Sequence, residues 1–282
     1  MYLTRLRINS ARAEARRLLN SPHRLHGAVD MAFPNPAARD GTGPRVLWRL
    51  DAAPGNRVDL FISSPDRPDL THLVEQVGWP SLGQEGWTTF AYGEFLNALA
   101  EGDVWSFRLT ANPVHHIRRD QDPVGAPTKR AAHVTVRHQI GWLLKQQERA
   151  GFRVLPKGDS SAASGEGGAG ADGSATHAGI MGDTDPDGRP TAAGAVPASV
   201  GTTEEWGYQL VVHDRTPVRF GKPSGGTRDS ASPSRPHVHF TRATFDGRLR
   251  ITDLAAFRHT LTHGLGKAKA YGCGLMTLTP GR

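Results

Sequence analysis

Gly264-Leu265-Gly266-Lys267-Ala268-Lys269-Ala270-Tyr271-Gly272-Cys273-Gly274 lies between a helical pattern at 254–263 and an apolar run at 275–278. Two Gly-apolar-Gly triplets bracket five residues, of which Lys267 and Lys269 are basic. Glycine lets the backbone take positive φ and approach another group closely. Lysines among open N–H groups suit a phosphate chain. A helix C-cap running into a strand would use the same glycines with no ligand. Two triplets around a basic spacer favour the anion reading. On either reading the stretch joins a last helix to a last strand, and the fold is read backward from it.

Upstream, 253–263 is a helix and 236–244 a strand, with Phe245-Asp246-Gly247-Arg248 read as a turn into a short strand at 249–251. Before them come a strand at 206–213, the start of a strand at 152–155, a helix at 138–150 with Ile140, Leu143 and Leu144 on one face, and a strand at 132–136. The first half repeats the order. Residues 2–8 alternate as a half-buried strand, and 10–19 carry helix formers. Ser21-Pro22 supply an N-cap and first helical residue for a helix ending before Pro34. Strands at 46–50 and 58–62 flank a Pro54-Gly55-Asn56 turn, 68–77 is a short amphipathic helix, and 104–109 an alternating strand. Residues 88–99 fit either helix or strand. Strand, helix, strand, strand, helix, strand is the ferredoxin-like order. The expected class is α+β: two tandem ferredoxin-like domains, 1–112 and 113–282.

An apolar content of 37% understates the core, because residues 158–203 hold few large apolar side chains. That stretch cannot bury enough surface to offset chain entropy, so it reads as a disordered insertion in the second domain. Six acids against one arginine give it a net charge of −5, which leaves +12 on the remainder of a chain whose total is +7. Most of that positive charge is arginine, whose planar fork suits phosphate and stacks on bases, so RNA or DNA is the expected partner. With Cys273 the sole cysteine, an intrachain disulfide and a cysteine-based metal site are excluded. No apolar run reaches membrane-spanning length and the first residues lack a signal-peptide core, so the expected setting is cytoplasmic with no membrane contact.

Several side chains are placed to do chemistry. His23 and His26 sit three apart on one helix and share a face, near the helix end that welcomes an anion. Histidine titrates near neutrality and can pass a proton to or from a hydroxyl. Arg24 lies beside them. Arg118, Arg119, Lys129 and Arg130 flank one Pro/Gly loop, and Arg215, Arg219 and Lys222, with Arg228 and Arg235, lie in or beside a second. Both loops suit contacts that track phosphates. His237 and His239 point to one side of a strand, but metal ligation needs a further ligand that the spacing does not supply. The glycine loop offers Gly264, Gly266, Gly272 and Gly274 with Lys267 and Lys269 for backbone contact, and no group expected to transfer a proton at neutral pH.

Together these features resemble a known family, the CRISPR-associated repeat-processing endoribonucleases of the CasE type in type I-E systems, within the RAMP superfamily. The resemblance covers nearly all of the chain outside the insertion. Its anchors are Met1-Tyr2-Leu3-Thr4-Arg5-Leu6, Ser21-Pro22-His23-Arg24-Leu25-His26, Arg108-Leu109-Thr110-Ala111-Asn112-Pro113, and 264–274 followed by Leu275-Met276-Thr277-Leu278-Thr279-Pro280. It implies RRM-related domains that bind the stem-loop of CRISPR repeat RNA and cut at its base. It implies attack by a 2′-hydroxyl with no metal or cofactor, giving a 2′,3′-cyclic phosphate and a 5′-hydroxyl. It implies His26 as general acid/base, retention of the crRNA product, and assembly into the surveillance complex called Cascade. The family carries a tyrosine three residues before that histidine, and His23 stands there instead, as a second acid/base group or a replacement for the phenol. A non-catalytic subunit that only holds the hairpin would share the basic surface, and a metal-dependent phosphodiesterase would use His237 and His239. His26 in its matching context favours the nuclease.

Overall fold

β1 (Tyr2–Asn9) opens a computed structural model that describes residues 1–34, 43–79, 86–117, 129–159, 207–221 and 237–280. Its alternation buries Leu6 and Ile8 completely on one face. α1 (Ala13–Leu19) and α2 (Pro22–Asp30) follow; Ser21 Oγ accepts from the Arg24 N–H and Pro22 takes the first helical position, as the sequence predicts. β2 (Leu47–Ala52) and β3 (Arg57–Ser64) pair around Gly55, whose φ of 70° favours glycine. α3 (Thr71–Val77) leads to β4 (Trp87–Ala91). The strands form an antiparallel sheet in the order β2-β3-β1-β4. Leu25 and Val29 of α2 and Leu73 of α3 pack on its Trp48, Leu60 and Ile62 to make the first core.

The second sheet begins earlier than the sequence suggests. The ambiguous stretch 88–99 resolves into β4 and α4 (Tyr92–Ala98), so β4 closes the first sheet. β5 (Val104–Ala111), expected to do that, belongs to the second sheet, between β10 (His237–Ile251) and β11 (Met276–Pro280). The reason is burial: Phe107, Leu109 and Ala111 face the second core, with Phe245 and Leu249 of β10. The sheets therefore divide upstream of residue 104, not at 112. β6 (Val114–Ile117) and β7 (Lys129–Ala132) form a separate two-stranded ribbon, so the strand expected at 132–136 ends by Ala132. α5 (Val136–Ala150), capped by Thr135, and α6 (Leu254–His263), capped by Asp253, pack on the second sheet through Leu143, Phe257 and Leu261.

β8 (Phe152–Val154) and β9 (Leu210–Gly221) pair successively along β10, so they are two parts of one edge strand. Leu155 donates to the Arg248 carbonyl, Arg248 donates to the Gln209 carbonyl, and Pro156 bridges to Tyr208. The insertion thus leaves and rejoins the strand at one point. Apart from Gly158 and Asp159, the stretch read as disordered (158–203) lies outside the described residues. The turn expected at 245–248 is absent; β10 runs straight through it. Gly247 serves close packing there, since a Cβ would stand 2.5 Å from the Gln209 carbonyl oxygen and 3.1 Å from the Phe107 ring. The chain is α+β, with two tandem ferredoxin-like domains.

Candidate active site

α2 carries His23 and His26 one turn apart, both partly exposed, while Leu25 and Val29 anchor the helix in the first core. His26 lies where α2 meets the glycine loop: its ring and that of Tyr271 are 6.2 Å apart between centroids, at 77°. Tyr271 ends a short 3-10 turn (Lys269–Tyr271) and also meets Phe220 of β9 at 4.8 Å and Phe240 of β10 at 6.1 Å. On the other side of His26, Nε2 is 3.5 Å from Asp30 Oδ2. A carboxylate one turn on restrains the imidazole. The i, i+4 spacing of His26 and Asp30 was legible in the sequence; the contact with Tyr271, 245 residues away in the chain, carries no local signal.

The glycines have a packing reason. Gly264, Gly266, Gly272 and Gly274 have φ of 75°, 86°, 78° and 94°. A Cβ on Gly272 would stand 2.5 Å from the Trp48 ring, and one on Gly264 would stand 2.8 Å from Leu47 Cδ2. Both partners are on β2, so the loop braces the second domain against the first. Gly266 lies against Trp142, where a Cβ would be 3.0 Å from the indole. Leu265 donates to the Gly274 carbonyl and Gly274 to that of Thr110, which commits two loop N–H groups internally.

The lysines divide. Lys267 is exposed. Lys269 turns inward, and its Nζ donates to the His263 carbonyl at 2.7 Å. Burial, with Arg45, Lys267 and Arg149 nearby, pushes its pKa down to about 8. The loop therefore holds a group that titrates closer to neutrality than the sequence suggests, because burial disfavours its charge.

Behind the loop a buried ionic chain crosses between the domains. Arg49 on β2 is 2% exposed, so its charge needs partners inside the protein. It places Nε and Nη2 on Asp51 at 2.7 and 2.8 Å, Nη1 on the carbonyls of Arg108 and Leu275, and Nη2 on Thr277 Oγ1. Phe61 covers its guanidinium at 5.3 Å. Arg108 lies 3.6 Å from Asp51 and forks onto Asp246 at 2.7 and 2.6 Å. Asp246 in turn accepts from His213 Nε2 at 3.0 Å, and His213 Nδ1 meets Asp214 at 2.9 Å. Asp214 and Asp246 hold His213 up at about 9. Burial would raise the Asp246 carboxyl, but hydrogen bonds from Arg108 and His213 outweigh it and hold the group at about 2.

β9 and β10 run past the sheet as a two-stranded arm. Register puts Val218, Phe220, Val238 and Phe240 on one face, over Tyr271, and Arg219 and His239 side by side on the other. Arg215, Arg219, His237 and His239 are all exposed. His237 and His239 share a face as expected, and among the described residues no His, Cys, Asp or Glu gather in groups of three or more able to hold a metal ion. Arg24 and Arg130 are exposed, the latter on β7. Lys129 opens β7 opposite Ile117. Arg118, Arg119, Lys222, Arg228 and Arg235 lie outside the described residues. No helix among the described residues is long and apolar enough to cross a membrane.

Comparison with known proteins places the fold in a family. The chain is 27% identical over 280 residues to the CRISPR-associated endoribonuclease Cse3 of Thermus thermophilus, a match spanning 99% of this chain and all of the relative. Thermus thermophilus Cse3 bound to an RNA representing a pre-cleavage complex superposes with a TM-score of 0.61 at 24% identity, covering 99% of this chain and 98% of that one. A chain of a pre-nicking CRISPR RNA-guided surveillance complex gives 0.53 at 18% identity, with 99% of each chain covered. A family profile described as CRISPR associated protein matches residues 1–280. The chain belongs to that CRISPR-associated protein family.

Proposed function

We propose that this chain is an endoribonuclease that binds the stem-loop of CRISPR repeat RNA and cuts precursor transcripts into crRNA without a metal ion. The observation that carries the reading is the meeting of His26 with Tyr271 at the joint between the domains, beside the exposed basic arm. The name of the Thermus relative and the RNA held by its structure supply the substrate class.

The reaction needs only proton transfer and charge stabilisation. The 2′-hydroxyl gives its proton to a base as its oxygen bonds to phosphorus. The bond from phosphorus to the 5′-oxygen breaks, and that oxygen takes a proton from an acid. The products are a 2′,3′-cyclic phosphate and a 5′-hydroxyl. His26 is one acid/base group, restrained by Asp30 and Tyr271, and His23 on the same helix is the other. Arg24, Lys267 and the arm residues Arg215 and Arg219 face solvent and would meet RNA phosphates, as would Arg130 on the ribbon. The product would stay bound within a type I-E assembly in the cytoplasm; the likeness to a chain of a surveillance complex supports the assembly.

The test incubates purified chain with repeat hairpin RNA in EDTA. Cutting is expected, with a cyclic phosphate end, and it should stop with His26→Ala or with a 2′-deoxy substitution at the cut site. Tight binding without cutting would establish a hairpin-holding subunit instead. Activity restored only by a divalent ion would point to metal-dependent chemistry.

A further inference from the structure

A cavity of about 500 Å³ opens between the β6–β7 ribbon and α5, lined by His115 and His133 from the ribbon side and by Arg137, His138, Trp142 and Lys145 on the helix. The three imidazoles form a column: His115 and His133 stack at 4.4 Å between centroids, and His133 and His138 at 5.7 Å. Among the described residues no carboxylate lines the cavity. His115 Nδ1 is buried with no hydrogen-bond partner among them. The site shares one wall residue with the glycine loop, since Trp142 also supports Gly266.

We propose that this cavity is a second anion site, which takes a phosphate group between the histidine column and the Arg137–Lys145 side of α5. Two permanent cations on one helix face supply the attraction. The imidazoles supply donors that can be switched on by protonation. A transition metal fits poorly, because stacked rings present their faces to one another, whereas ligation needs nitrogens converging on one point at about 2.0–2.1 Å. The phosphate has two possible sources, the backbone of a bound RNA or a free phosphate-bearing small molecule. The site itself does not depend on chemistry at His26.

The electrostatics fit an anion. Burial, then His115, His138 and Lys145, hold His133 below its ordinary pKa in the unliganded protein. The groups facing it are His115 from β6 and Arg137, His138 and Lys145 from α5, all cationic or able to become so. A bound phosphate reverses their effect, so binding should draw a proton onto the column.

The experiment follows the histidine ring signals of the full chain by NMR, first with inorganic phosphate and then with hairpin RNA blocked by a 2′-deoxy residue at the cut site. Phosphate should shift the His115, His133 and His138 rings saturably and raise the His133 pKa by about one unit, a tenfold linkage. Lys145→Gln, at an exposed position, should weaken the phosphate effect by about tenfold without unfolding the chain. If the RNA moves the same rings and displaces phosphate, the backbone is the source. If phosphate moves them and RNA does not, the ligand is a small molecule. Rings that stay unmoved by both, or shifts that Lys145→Gln leaves intact, would overturn the site.

Discussion

The rings of His26 and Tyr271 stand at 77°, the first on a helix of the N-terminal domain and the second on the loop before the last strand. Two aromatic walls, Phe220 and Phe240, hold Tyr271 from behind. The imidazole is thus aimed by the second domain, and its setting depends on the domains being docked.

That dependence predicts a split between ring and hydroxyl. Tyr271→Phe keeps the packing surface and should leave cleavage within about twofold, whereas Tyr271→Ala frees His26 and should lower kcat about tenfold with little change in KM. Single-turnover rates with saturating hairpin RNA separate the two. Equal rates for Tyr271→Ala and the unaltered chain would show that the contact does not orient His26.

Arg49 offers a second test of docking, on stability. Its guanidinium ties β2 to carbonyls of β5 and of Leu275, immediately before β11, and it neutralises Asp51, which is 13% exposed. Removing one partner of a buried pair costs up to about 3–5 kcal/mol, of which Arg108, 3.6 Å from Asp51, would offset a part. Arg49→Met should therefore lower the urea midpoint strongly. The double change Arg49→Met, Asp51→Leu should recover part of the loss, because an apolar pair can replace a buried ionic one. A single variant with unchanged stability would remove the latch from the account.

Much of this architecture was legible in local signals, and the failures share one cause. Ser21-Pro22 and the Gly55 turn declare themselves within a few residues, and the structure has both. Phe245-Asp246-Gly247-Arg248 has turn composition, yet it stays extended because Asp246 is bound by Arg108 and His213 from neighbouring strands. The placement of β5 likewise depends on which core covers Phe107 and Leu109, which alternation alone does not reveal. At the site, the His23–His26 spacing marks a helix face, but Tyr271 reaches it only through tertiary docking. Lys269 looked like a free cation by composition; its contact with the His263 carbonyl is visible only in three dimensions.

The His213–Asp246 pair sets a pH window for stability. His213 is held at about 9 against a reference of 6.5, so its contribution is full below pH 6.5 and is lost as pH rises through 9. Asp246 is held at about 2 against 3.8, so its contribution is present above pH 3.8 and is lost as pH falls through 2. Urea unfolding should show a plateau between about pH 3.8 and 6.5 and an alkaline decline of roughly 3 kcal/mol at most. In His213→Gln the alkaline decline should shrink. If it persists undiminished, another group governs it.

The arm makes a prediction about RNA binding that is separate from catalysis. Arg215 and Arg219 are exposed on β9, and Arg219 lies on the arm face turned away from Tyr271. Each phosphate contact releases condensed counterions, so losing one arginine should reduce the slope of log affinity against log salt by a little under one. Arg215→Ala and Arg219→Ala should each weaken hairpin binding about fivefold to tenfold at moderate salt, and their effects should fade as salt rises. Cleavage of saturating, already bound RNA should be little affected, since neither residue reaches the His26 contacts described above. If either variant weakens binding equally at all salt concentrations, its arginine reads a base or supports the fold instead of tracking a phosphate.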